Sequence, residues 1–159
     1  MNPQEMLVTP FAYMPPGRLL DGLNAAEAAR RIPGAPHSIV EILAHMVFWQ
    51  SWFLERLTGR PVPMASTATE GWPDAGEGAW DRLRTDFLTG LERAVAMGDT
   101  PDALSARVEP AIEFPPLAEY SVREVLTHIA IHNAHHLGQI VTLRQMSGAW
   151  PPPEGSWTW

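Results

Sequence analysis

Apolar side chains recur at every third or fourth position in two stretches of the chain, and each stretch opens with the motif Ser-x-x-Glu. This motif is typical of a capping box, in which the serine and the glutamate satisfy free backbone N–H groups at a helix start. A glycine and then a proline follow each apolar run and mark its end. The pattern therefore predicts one helix after Ser38, over about Ile39–Leu57, and another after Ser121, over about Val122–Met146.

The two capped stretches are similar to each other. SIVEILAHM begins at position 38 and SVREVLTHI begins 83 residues later, about half the chain length away. Ser, Glu, Leu and His fall at matching places. An internal duplication of a helix pair explains the match, and so does the use of the same capping rules by two unrelated helices. Both interpretations stay open from the sequence.

A third amphipathic stretch lies between them, within 77–98, where apolar residues again follow helical spacing. These residues are Trp80, Leu83, Phe87, Leu91 and Ala94. A weaker pattern in 17–32 predicts either one helix or two short pieces. No part of the chain has the pattern of a sheet.

Two long connections separate these helices, at 60–78 and 99–120, and both are rich in Pro, Gly, Ser and Thr. Loops of this length are uncommon in a compact domain unless they cover something. Four principal helices with long crossovers predict an all-α four-helix bundle. We expect a single domain over 1–159, with its core at about 18–150. The extended tail, 151–159, and the tryptophan before it should pack on the domain or on a partner subunit.

Composition narrows the function. A chain of 159 residues that is 45% hydrophobic can bury a core without disulfides or other cross-links. It has no cysteine, which excludes a disulfide frame, a thiolate metal site and a cysteine nucleophile. Its formal charge of −7, without a basic cluster, argues against nucleic acid as a partner. With no export signal and no apolar run of about 20 residues, we expect a cytoplasmic protein outside the membrane.

Four of the six histidines fall in HIAIHNAHHLGQI, over nine positions of the last predicted helix. At 100° per residue, His132 and His136 lie within about 20° of the centre of the apolar stripe. His128 and His135 lie about 60° and 80° away, at the margin. A buried imidazole without hydrogen-bond partners costs about 1 to 3 kcal/mol. The two central histidines therefore need partners.

Two histidines four residues apart can chelate one metal ion from a single helix face, with imidazole nitrogens about 2.0–2.1 Å from the ion. The third ligand has to come from another helix. His45 is the first candidate and His37 the second, but His45 has the same angular offset as His128, so periodicity cannot choose between them. The alternative is a structural bundle in which the histidines bond to one another and to buried water.

If the two capped stretches are repeats, His132 and His136 correspond to Trp49 and Phe53. The last helix then carries imidazoles where its counterpart carries large apolar rings.

These residues resemble a known family. AHMVFWQ around His45 and HNAHHLGQI from His132, with H-x-x-x-H-H-x-G-Q as the most specific element, are similar to the DinB/YfiT-like superfamily of bacterial four-helix-bundle proteins. The resemblance extends over about 18–150 and includes the Trp-Pro loop at Trp72. It implies a divalent metal, nickel or zinc, bound by His45, His132 and His136. It also implies a homodimer.

The resemblance identifies the metal site better than the reaction. It implies a metal-dependent enzyme, of hydrolase or thiol S-transferase type, acting on a small molecule that could be a low-molecular-weight thiol. The alternative is a metal-binding stress-response or sensor protein without turnover. Glu41 is explained by its capping box, and Gln139 is either a partner of a ligand or a polar edge residue. Arg144 alone does not make the arginine cluster that a thiol cofactor's carboxylates need.

Overall fold

The structure, a computed structural model, describes residues 3–8, 14–99 and 101–155. Their α-helices are α1 (Pro3–Val8), α2 (Pro16–Leu20), α3 (Ala25–Ala29), α4 (Ile39–Leu57), α5 (Trp80–Met97), α6 (Pro101–Ser105) and α7 (Val122–Ser147). Short 3-10 helices lie at Ala68–Gly71, Glu77–Ala79 and Pro115–Leu117. No strand occurs within these ranges, only an isolated bridge between Arg107 and Ser121. The all-α prediction is confirmed.

The two capped helices begin where the sequence predicted. Both capping boxes form, because the glutamate at the third helical position accepts from the backbone N–H of Ser38 in α4 and of Ser121 in α7. α4 ends at Leu57 as expected, and α7 runs one residue past the expected Met146. Gly148 then ends α7 with a φ of 76°, a left-handed conformation that glycine adopts without strain.

Short helices make up the fourth side of the domain. The weak pattern in 17–32 contains most of α2 and all of α3, which is the second of the two forms predicted for it. α1, which the sequence analysis did not predict, packs against α7 and α5. Within the described ranges there are thus three long helices, and a fourth helix of similar length is not among them.

The core lies between α4 and its two neighbours, α5 and α7, and α1 closes it. The predicted apolar stripe of α5 is buried along its whole length, from Trp80 to Ala94. Buried apolar residues of the described chain form one cluster. Its largest fully buried members include Leu43, Met46, Leu54, Trp80, Phe87, Leu126 and Ile129.

A buried polar bridge crosses this core. Gln50 of α4 donates to the carbonyl oxygen of Phe87 at 2.9 Å and accepts from Asn133 of α7 at 3.0 Å. Gly90 makes room for it, since a Cβ at this position would lie 2.1 Å from Nε2 of Gln50. The bridge favours one register of the three long helices, because its hydrogen bonds form only when Gln50, Phe87 and Asn133 lie side by side.

The two long connections are attached to the end of α4. The buried Arg56 donates to the carbonyl oxygen of Val62 in the first connection and to those of Pro110 and Ala111 in the second, at 3.2, 2.9 and 2.7 Å. Nε1 of Trp52 donates to the carbonyl oxygen of Pro63 at 2.7 Å. Both loops are therefore held against the bundle.

Arg144 has a structural role. It is buried and donates to three carbonyl oxygens, those of Leu19, Asp21 and Ala149. The bonds to Leu19 and Asp21 join α7 to the end of α2, about two turns beyond His136 along α7. Arg144 is thus not available to hold a carboxylate of a cofactor.

The start of the tail packs on the domain, as predicted. The ring of Trp150 is half-buried and lies 5.7 Å from the Arg144 guanidinium, and Glu154 pairs with Arg18 at 3.1 Å. The other two tryptophans of the tail, Trp157 and Trp159, lie outside the described residues. None of the described helices is both long and apolar enough to cross a bilayer.

Candidate metal centre

Three histidines from two helices lie close together. His45 lies on α4, and His132 and His136 lie one turn apart on α7. Nε2 of His45 is 3.1 Å from Nε2 of His132, and one nitrogen from each of the three rings lies within 4.8 Å of the others. The structure thus brings together the three side chains that the resemblance implied, and neither His37 nor His128 is in this group.

The outer nitrogens of two of these rings have fixed partners. Nδ1 of His45 is 2.5 Å from the carbonyl oxygen of Gly71, and Nδ1 of His136 is 2.7 Å from Oε1 of Gln139. Both oxygens only accept hydrogen bonds, so each Nδ1 carries the proton. In the neutral imidazole, Nε2 then keeps its lone pair, and Nε2 of His45 lies 3.1 Å from Nε2 of His132. Metal-binding histidines are usually oriented in this way.

Burial keeps these imidazoles neutral. It lowers the pKa of His45 to about 4, although the bond to Gly71 works in the opposite direction. It lowers the pKa of His132 to about 3, with the neighbouring histidines adding to the effect. The pKa of His136 is also lowered, mainly by burial. At neutral pH all three rings therefore offer lone pairs, which a metal requires.

The first long loop covers the cluster with an aromatic ring. Trp72 stacks on His45 with 3.9 Å between ring centroids and an interplanar angle of 15°. Its other face stacks on His37, also at 3.9 Å. His37 therefore holds the tryptophan rather than joining the cluster. The loop at 60–78 thus covers one face of a candidate ligand, in keeping with the expectation that a loop of this length covers part of the protein.

The remaining histidines lie outside the cluster. His128 is half-buried and packs against Phe53, with ring centroids 4.8 Å apart, and near Tyr120 at 6.2 Å. His135 is exposed, and its Nε2 lies 3.2 Å from Nε2 of Gln139. Both occupy the marginal positions that helical geometry predicted.

Glu41, one turn before His45, is committed to the helix start. Its carboxylate accepts from the backbone N–H and the hydroxyl of Ser38 at 2.7 and 2.9 Å, and it pairs with Arg31. Burial acts to raise the pKa of Glu41, but these donors outweigh it and the pKa is lowered. The carboxylate is thus ionised and already paired, as its capping role predicted.

One pair of ring nitrogens has the spacing that a divalent ion requires. Two imidazole nitrogens bound to one tetrahedral ion at about 2.0–2.1 Å are about 3.3 Å apart, close to the 3.1 Å between His45 and His132. The donor set consists of three neutral imidazoles, which suits zinc, nickel and copper better than magnesium or calcium. Three protein ligands leave a coordination position open.

Sequence reasoning missed two parts of this site. It singled out the loop around Trp72 but not the stacking on His45, and it did not foresee the carbonyl of Gly71 as a partner. The one available signal was the glycine itself, next to a tryptophan in a long loop. Gly71 is required because a Cβ there would lie 2.8 Å from Nε1 of Trp49.

A comparison with protein-family models supports the resemblance noted in the sequence. The model of the DinB superfamily matches residues 18–140, a range that includes all three clustered histidines. The chain belongs to the DinB superfamily. No curated protein and no solved structure has significant similarity to this DinB protein. Membership, together with the cluster of three histidines, fits a metal-binding protein of the superfamily.

Proposed function

We propose that this DinB protein binds one divalent metal ion through His45, His132 and His136 and uses it as a metal-dependent enzyme on a small molecule. The observation that carries the proposal is the convergence of three neutral imidazoles. In two of them, Gly71 or Gln139 takes the outer N–H. A structural role does not require ring nitrogens of three histidines to lie within 4.8 Å of one another. A metal site does.

The ion is zinc or nickel, since imidazole suits both. At its open position, such an ion lowers the pKa of a bound water or stabilises a bound thiolate, which are the chemistries of hydrolysis and of thiol transfer. The residues around it have separate tasks. The carbonyl of Gly71 and the amide of Gln139 hold two rings in place, and Trp72 keeps water from one face of His45.

The second candidate is a metal-binding stress-response or sensor protein without turnover. It is favoured by the state of Glu41, because this carboxylate near His45 is held by Ser38 and Arg31 and is not directed at the cluster as a general base. A homodimer and a cytoplasmic location stay predictions of the sequence.

The proposal is tested by elemental analysis of the untagged protein after extensive dialysis. We expect about one equivalent of zinc or nickel in the wild type. His45→Ala, His132→Ala and His136→Ala should each lose it.

The matched control is His128→Ala, which removes a half-buried histidine of the same helix that contacts Phe53 instead of the cluster. It should retain the metal. A folded wild type that holds no metal, even after reloading with zinc or nickel, would falsify the proposal. A metal that His128→Ala also loses would refute the assignment of the three ligands.

A further inference from the structure

A cavity of about 470 Å³ lies beside the histidine cluster. This volume is within the range of about 300 to 1,000 Å³ that is usual for small-molecule sites. Most of its wall is apolar and is formed by α4, α7 and the segment before α4. The side chains of Ile42, Leu143 and Met146 contribute to it.

The cavity shares two walls with the histidine cluster. Trp72 lines the cavity and stacks on His45, and Gln139 lines the cavity and accepts from His136. A molecule in the cavity thus lies one side chain away from two of the three histidines. The polar side chains of the wall are those of His37, Gln139 and Thr142. Since the amide of Gln139 has hydrogen-bonding capacity left, a polar group of a bound molecule can pair with it next to the cluster.

Among the described residues, no Asp, Glu or Arg lines the cavity, and the titratable side chain in its wall is that of His37, which stacks on Trp72. All eleven basic residues of the chain are arginines, and the three nearest in sequence to the lining residues have other partners. Arg30 donates to the carbonyl oxygen of Ser147, Arg31 pairs with Glu41, and Arg144 is bound to three carbonyls on the opposite side of α7. An anionic ligand would therefore lose its hydration without gaining a permanently charged partner, which is costly.

We propose that this cavity binds the substrate, and that the substrate is an uncharged, largely apolar small molecule whose one polar group faces Gln139 and Trp72. The proposal rests on the metal-binding function proposed above. It excludes low-molecular-weight thiols that carry several carboxylates from the substrate class, because the described residues of the wall include no arginine to pair with them. The apolar part of a neutral molecule can pack against Ile42, Leu143 and Met146.

Two nearly isosteric probes test the proposal: naphthalene-2-carboxamide, which is neutral, and naphthalene-2-carboxylate, which is an anion at pH 7. Their dissociation constants are measured by isothermal titration calorimetry on the protein as purified. We expect the carboxamide to bind at least about 10-fold more tightly. If the two probes bind equally, if the carboxylate binds more tightly, or if neither binds, the proposal is wrong.

A charge placed in the wall shows where the probes bind. Thr142 lines the cavity and is exposed, so Thr142→Arg adds a cation there without disturbing the core. It should reverse the preference in favour of the carboxylate. Gln145→Arg is the matched control, since Gln145 is also an exposed residue of α7 but does not line the cavity. It should leave the preference unchanged, and equal effects of both variants would place the probes elsewhere.

The metal content of the same samples separates the two proposals. If the carboxamide is preferred in a protein that holds no metal even after reloading, the preference of the cavity for a neutral ligand stands and the metal-binding function fails. If about one equivalent of metal is present but the preference is absent, the metal-binding function stands and the cavity proposal fails.

Discussion

Gly71→Ala should weaken metal binding although Gly71 is not a ligand. The carbonyl of Gly71 accepts from Nδ1 of His45 at 2.5 Å, and the backbone at this point passes close to an indole ring. A Cβ on Gly71 would lie 2.8 Å from Nε1 of Trp49 and 3.0 and 3.1 Å from two of its ring carbons. Since ordinary contacts of a Cβ begin at 3.4 Å, the loop or the ring has to move by about 0.6 Å.

The expected loss of metal affinity follows from the effect of this shift on His45 and Trp72. The hydrogen bond from His45 is displaced or lost, and the stacking of Trp72, the next residue, changes with it. Loss of a hydrogen-bond partner of a metal-binding histidine typically costs 10- to 100-fold in metal affinity. Because the carbonyl of residue 71 is displaced rather than removed, we expect a loss of about 10-fold, which corresponds to about 1.4 kcal/mol.

The assay is competition for zinc with a chromophoric chelator at pH 7.5. Gly76→Ala is the control within the same loop, since a Cβ at Gly76 meets nothing within 4 Å. Adding Trp49→Leu to Gly71→Ala should restore most of the affinity, because the smaller side chain removes the close contact. A Gly71→Ala variant that binds zinc as tightly as Gly76→Ala would refute the reasoning. A loss that Trp49→Leu does not reverse would refute the clash as its cause.

Three further predictions concern stability, each measured by urea denaturation. In the metal-free protein, His45 with a pKa of about 4 and His132 with a pKa of about 3 stay neutral where the unfolded chain takes up protons near pH 6.5. The free energy of unfolding should therefore fall as the pH drops from about 7 towards 4, and less steeply in a variant with alanine at both positions. Arg144→Met should destabilise the fold by about 3 kcal/mol without changing the metal content, because one buried and two half-buried carbonyls lose their donor. Gly90→Ala should lower the free energy of unfolding by about 1 to 2 kcal/mol, because its Cβ would lie 2.1 Å from Nε2 of Gln50, although alanine is the better helix former. In a Gln50→Ala background, the effect of Gly90→Ala should be smaller. An unchanged effect in that background would contradict the clash.

The helices could be predicted from the sequence because their signals are local. The capping boxes at Ser38 and Ser121 fix two helix starts, and the stripe from Trp80 to Ala94 fixes the third helix. α1 escaped prediction because six residues are too short to have a periodic pattern. Its position is set by packing on α5 and α7, which is a long-range effect.

The candidate site was predictable only in part. Angular position on α7 selected His132 and His136, because one helix contains both. The choice of His45 over His128 needed either the family resemblance or the structure, since both have the same offset on their helices. The carbonyl of Gly71 comes from a loop whose path depends on contacts with α4, and no local pattern indicates which backbone oxygen reaches a histidine.

The buried contact between Gln50 and Asn133 has a consequence for the symmetry of the protein. With an offset of 83 residues, Gln50 and Asn133 are equivalent positions of the two capped helices. Residues that contact their own equivalents lie near a pseudo-two-fold axis. The same operation converts the contact of His45 with His136 into one between His128 and Phe53, and both contacts are observed, at 4.7 and 4.8 Å between ring centroids.

These paired contacts favour the duplication over chance similarity of two helix starts. The protein then contains two related positions, one with three imidazoles and one where His128 contacts Phe53 and Trp49 takes the place of His132. At the second position, apolar rings thus stand where the first has two of its imidazoles. Two substitutions therefore distinguish the end of the protein that carries the histidine cluster from the end that carries aromatic rings.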